Sequence, residues 1–134
     1  MAERPQYTPE FINHLEPGEI FVFGSNLAGM HGGGAARAAM NHFGAIWGQG
    51  VGLQGQSYAI PTMQGPVPTI KPFVNQFIDF ARQHTELTFY VTRIGCGIAG
   101  FHDSEIAPLF RDALPLPNVI LPESFARILN NLAD

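Results

Sequence analysis

Charge is scarce in this chain of 134 residues. Asp, Glu, Lys and Arg make up 13% of it, against about 25% in an average soluble domain. With 46% hydrophobic residues, that shortage excludes a solvated, disordered chain and predicts one compact domain spanning residues 1–134. Basic residues are fewest: seven Lys and Arg stand against eleven Asp and Glu, a net charge of −4, and no segment clusters them. Neutralising a phosphate backbone needs a basic face, so duplex nucleic acid is not the expected partner. A single cysteine, Cys96, excludes an intramolecular disulfide, and no CxxC or Cys/His spacing suggests structural zinc, so no metal site is expected. Apolar runs stay far below the ~20 residues that span a bilayer. The opening residues MAERPQYTPEF lack the apolar segment of a signal peptide. A cytoplasmic protein with no membrane partner is the expectation.

Glycine, by contrast, is abundant, at 15 residues, and its placement organises the reading. From Ile20 to Gly44 the chain reads IFVFGSNLAGMHGGGAARAAMNHFG: an apolar strand, a glycine loop, then an alanine-rich helix from about Gly34 to Phe43 with Gly44 as its C-terminal stop. From Thr88 to Phe101, TFYVTRIGCGIAGF repeats the pattern, a β-rich run emptying into Gly95, Gly97 and Gly100. A strand that opens into glycines and closes into a helix offers bare backbone N–H groups, which is where anions bind. If both strands are parallel members of one sheet, both loops lie at its same edge.

Elsewhere, Thr8, Pro9 and Glu10 carry the signature of a helix start, with Phe11, Ile12 and Leu15 facing the core and Pro17-Gly18 as the stop. Ala45 to Gly55 reads as a loop, able by length and composition to serve as a lid, and Ser57 to Ile60 as a short strand. A helix capped by Thr69 carries Ile70, Phe73, Val74, Phe77, Ile78 and Ala81 on one stripe, with Pro72 harmless in its first turn. A strand over Leu87 to Ile94, a helix over Glu105 to Leu114 and a strand over Asn118 to Leu121 follow. A last helix from Pro122 carries Phe125, Ile128, Leu129 and Leu132. Strands alternating with helices predict an α/β fold, a three-layer α/β/α sandwich around a mainly parallel sheet.

A Walker A loop is excluded, because Ala35 and Ala36 stand where Lys and Ser or Thr would be needed. The first loop instead resembles that of the ADP-ribose-binding macrodomain superfamily, in a divergent small form. There N-A-x-N precedes four glycines and a helix. Here Phe23-Gly24-Ser25-Asn26 occupies the first motif and His31-Gly32-Gly33-Gly34 the second. Tyr58-Ala59-Ile60-Pro61-Thr62 is similar to that family's Y-x-I-x-T strand, and Gly95-Cys96-Gly97-Ile98-Ala99-Gly100-Phe101 to its S-T-G-x-x-G-x-P loop. The resemblance implies a macrodomain-like sandwich that binds ADP-ribose or a related nucleoside diphosphate derivative, free or on an ADP-ribosylated macromolecule, and needs no cofactor. Gly24, Ser25, Asn26 and Gly32 to Gly34 would surround the distal ribose, and residues 95–101 would wrap the diphosphate. Two departures stand out. Ala36 replaces the aspartate that hydrolytic members often use, and the upstream Asp-Ile pair that reads adenine is missing.

Each side chain also has a plainer role. Asn26 orients a ribose or bonds its own loop. His31 is the only general-base candidate of the first loop, or a solvated loop residue. Arg37 meets a phosphate or is an exposed helix charge. Cys96 is a nucleophile or a small filler. Asp103 and Glu105 suit the start of a helix, and Trp47 and Phe101 either stack on a base or pack in the core. As an enzyme, the chain would hydrolyse an ADP-ribose linkage at the distal ribose, with Asn26 and His31 catalytic. As a reader, it would only bind. A third reading takes Gly95 to Gly100 as a G-x-G-x-x-G dinucleotide loop with Glu123 on a ribose, the signature of a Rossmann-like oxidoreductase.

Overall fold

The computed structural model describes residues 6–97 and 99–132. Its strands are β1 (Glu19–Ser25), β2 (Gly52–Gln54), β3 (Ser57–Pro61), β4 (Thr88–Val91) and β5 (Val119–Ile120). Its α-helices are α1 (Gly34–His42), α2 (Lys71–Gln83), α3 (Asp103–Ile106) and α4 (Glu123–Leu132), with 3₁₀ turns at Val67–Thr69 and Ala107–Ala113. The strands form one sheet in the order β2-β3-β1-β4-β5. β3, β1, β4 and β5 run parallel, and β2 closes one edge antiparallel to β3.

β1 is central and buried on both sides, which is why its sequence is continuously apolar rather than alternating. Its pleat sends Ile20 and Val22 into a core with α2, α4 and the Ala107–Ala113 turn. Phe21 and Phe23 go to the opposite face, beneath Ala36 and Ala39 of α1. Helices therefore cover both faces of a mainly parallel sheet. The alanines let α1 sit close enough for the Phe21 and Phe43 rings to meet at 4.9 Å. On the other face the α2 stripe is as expected: Ile70, Val74, Phe77, Ile78 and Ala81 are buried and Phe73 packs at its margin. Burying Phe77 alone contributes about 2–3 kcal/mol. Asn118, itself buried, donates from Nδ2 to the carbonyls of Ala81 and His84 at 3.0 and 3.1 Å, tying the end of α2 to the start of β5.

Four local expectations are corrected. Residues 11–16 form no helix. Thr8, rather than capping one, donates from N and Oγ1 to the carbonyls of Leu121 and Ile120 at 2.9 and 3.0 Å, which ties the segment to the end of β5. The 45–55 stretch contains β2, whose pairing partner lies only three residues downstream. Thr69 does not cap α2, because its hydroxyl donates to Pro66 O and Ile70 is the N-cap residue. The helix expected over 105–114 is α only to Ile106. Pro108 has no N–H to continue the ladder, and the chain tightens into the 3₁₀ turn. Phe125 and Leu129 of α4 are buried, while the Leu132 side chain and Ile98 lie outside the described residues. Among the described residues no helix is long and apolar enough to cross a membrane.

This topology sets the site. The chain leaves β1 for α1 on one face and leaves the adjacent β4 for α3 on the other. Loops that part to opposite faces leave a crevice at the carboxyl ends of the two strands.

Candidate ligand cleft

A cleft of about 220 Å³ fills that crevice, lined among others by Gly24, Ser25, Asn26, Gly33, Gly34, Thr62, Thr92, Arg93, Gly95, Gly97 and Ala99. Gly34 and Gly97, 63 positions apart in the chain, thus face one hollow. The loops meet because Gly24 lacks a side chain: a Cβ there would lie 3.2 Å from Thr62 Oγ1 and 3.4 Å from Gly95 N. Gly33 is the N-cap of α1, without a side-chain cap and without an acidic residue in the first turn. Gly34 opens the helix at φ 58°, a left-handed conformation that favours glycine. The first-turn N–H groups of α1 have no intrahelical acceptors, and they belong to residues that line the cleft. Gly97 has nothing within 4 Å of where a Cβ would stand.

The first loop is braced from behind. Asn26 closes it on itself, Oδ1 accepting from Met30 N at 2.9 Å and Nδ2 donating to Met30 O at 3.1 Å. That engages one donor and one lone pair of an amide with two of each. Gly48 N donates to Gly29 O at 2.8 Å, and Ser25 Oγ donates to Gly50 O. The 45–55 stretch is therefore fixed against the first loop, and none of its residues lines the cleft.

His31 belongs to this brace. Its side chain is fully buried, its Nε2 lies 3.0 Å from Gln49 O, and its ring meets Phe23 edge-on at 5.3 Å. A carbonyl only accepts, so Nε2 is the donor of this bond. His31 does not line the cleft, and its expected role as the base that activates water is corrected on that ground. Arg37 is exposed on α1 and also outside the cleft. Gly32, Gly100 and Phe101 stand off its wall as well, Phe101 packing on the core. Trp47 is exposed and points at neither core nor cleft.

Cys96 is turned away from the cleft toward the core margin. Burial, then its hydrogen bond to Asp103, push the thiol up to about 12. At pH 8 about one thiol in ten thousand is then ionised. Alkylation by iodoacetamide at pH 8 should accordingly run at least a hundredfold slower than for free cysteine. Modification at the free-thiol rate would place Cys96 in a different environment from this one. Asp103 moves the opposite way: burial pushes it up, but hydrogen bonds from Cys96 and Arg93 outweigh that and hold its carboxyl below the ordinary aspartate value.

Arg93 is the one charged side chain among the residues that line the cleft. Its Nε and Nη2 donate to Asp103 Oδ1 at 3.0 and 2.9 Å, which fixes the guanidinium plane. Reading by glycine pattern passed over Arg93, as it did Thr62, Met63 and Thr92. The signal that finds them is position, since each follows the carboxyl end of a parallel strand. A cleft of glycine amides and one arginine, with no carboxylate among the described residues of its wall, complements an anion. Among the described residues no three His, Cys, Asp or Glu side chains cluster so as to hold a metal ion. No family model matches the chain, and no curated protein or solved structure matches it.

Proposed function

We propose that this chain binds the diphosphate and adjoining ribose of ADP-ribose, or of a related nucleoside diphosphate sugar, as a macrodomain-like reader. The observation that carries the reading is the wall itself: the N-terminal residues of α1, then Gly95, Gly97, Ala99 and Arg93, converge on one hollow that has no acidic side chain among the described residues lining it, in a protein of net charge −4. Backbone amides hold a diphosphate without adding charge, and the Arg93 guanidinium, although paired with Asp103, keeps further N–H donors for it. About 220 Å³ is below the ~300–1,000 Å³ of clefts that enclose whole drug-sized ligands, which suits a compact part of such a molecule.

Reading rather than hydrolysis is favoured because the cleft wall includes no imidazole and no carboxylate, His31 being buried elsewhere and Ala36 standing at the helix start. Against the oxidoreductase alternative, the Gly95 to Gly100 loop does not enter a helix at its third glycine. α3 begins only at Asp103 and has four residues. The test is calorimetric titration with ADP-ribose alongside incubation with an ADP-ribosylated protein. Saturable binding with the adduct left intact is expected. Release of ADP-ribose from the adduct would reinstate the hydrolase, and no heat with ADP-ribose would reject the ligand.

A further inference from the structure

Among the described residues eight large apolar side chains are exposed, and six of them, Leu27, Met30, Ile46, Trp47, Leu53 and Met63, come from three neighbouring stretches. Gly48 N donates to Gly29 O at 2.8 Å, Leu27 N to Gln64 Oε1 at 3.0 Å and Ile46 N to Gln54 Oε1 at 2.7 Å. These bonds set the first glycine loop, the 45–54 stretch and the turn after β3 side by side, toward the β2 edge of the sheet. Scattered singly, exposed apolar residues need no explanation. Six gathered on one side, with Trp47 57% exposed among them, mark a surface that is covered by something.

Charge says by what. All eleven Asp and Glu lie at or before Glu19 or at or after Asp79, and between Glu19 and Lys71 Arg37 is the one charged residue. The face therefore joins Trp and Met with a dearth of charge, the composition of the buried centre of a protein interface. A strongly charged partner finds no counter-charge there. A second copy of the chain fits better. Each copy carries a net charge of −4, so contact through the other surfaces sets carboxylates against one another, whereas two copies of this face meet without that repulsion. Addition of a strand at β2 is disfavoured, because Gln49 Nε2 already donates to the carbonyls of Val51 and Leu53 at 3.2 and 3.1 Å. Side chains, rather than a shared sheet, would hold the partner.

We propose that this face is a homodimer interface, closed across a two-fold axis with Trp47 as an anchor on each side. Met30 and Met63 also line the first cleft, so the seam borders its mouth. The dimer does not depend on what the cleft binds.

Sedimentation equilibrium tests it. The wild type at about 100 μM should give twice the 14.6 kDa of one chain. Trp47→Glu puts a carboxylate into the seam twice, once from each copy, and should raise the dissociation constant at least about a hundredfold, leaving the monomer mass. Leu114→Glu makes the same change at an exposed leucine outside the face and should stay dimeric. Circular dichroism checks that each variant is folded, and Met63→Glu reads the same seam if Trp47→Glu is not. A wild type of monomer mass overturns the interface. So does a dimer that survives in the folded Glu variants of the face, or one lost equally in Leu114→Glu.

Discussion

Gly50→Ala is expected to lower stability by about 3 kcal/mol, a drop in melting temperature on the order of 10 °C. A Cβ at Gly50 would overlap Asn26 O and come within 2.6 Å of Leu27 O, both backbone atoms of the first glycine loop. Neither can swing aside as a side-chain tip would. Making room would pull apart the Ser25 to Gly50 and His31 to Gln49 bonds that brace the loop, leaving buried polar groups unpaired at roughly 1–3 kcal/mol each. Gly32→Ala is the matched comparison. That site has nothing within 4 Å of its added carbon, so a change within about 0.5 kcal/mol is expected. Thermal unfolding of the two variants decides the matter. A Gly50→Ala protein that melts with the wild type would mean that the 45–55 stretch is not fastened to the loop.

Arg93→Gln is expected to weaken ADP-ribose binding about thirtyfold, the scale of a lost charge-assisted hydrogen bond to phosphate. Two effects act together. The cleft loses the one cation among the described residues that line it, and Asp103 loses its guanidinium partner. Folding should hardly notice, because the ion pair has Arg93 60% exposed and exposed pairs contribute about 0–1 kcal/mol. Arg93→Lys should fall between the two, keeping the charge but not the fork. Arg37→Gln, exposed and off the cleft, should stay within about twofold of the wild type. Titration at fixed ionic strength reads all four proteins. Equal losses in the Arg93 and Arg37 variants would reduce the role of Arg93 to bulk electrostatics.

What could be read from the chain in advance follows from how local each signal is. The α2 stripe from Ile70 to Ala81 and the strand from Ile20 to Phe23 were legible because their periodicity records burial directly. The 8–16 segment was misread because Thr8-Pro9-Glu10 is a local cap signal, whereas the acceptors Thr8 uses, Ile120 and Leu121, lie over a hundred residues away. β2 left no trace in the pattern. Three residues among glycines form a strand only because β3 offers an edge. The glycine loops identified the cleft, but a loop position does not say which way a side chain turns. His31, Cys96 and Arg37 sit in or beside those loops and face elsewhere, while Arg93, outside the glycine pattern, faces in.

The most direct test of two-loop recognition follows backbone amide resonances while ADP-ribose is added to labelled protein. The amides of Gly33, Gly34, Gly95 and Gly97 should shift together along one saturation curve, with those of Gly48 and Gly52 unmoved. Shifts confined to one loop, or gathered on another face, would contradict a diphosphate held between the two.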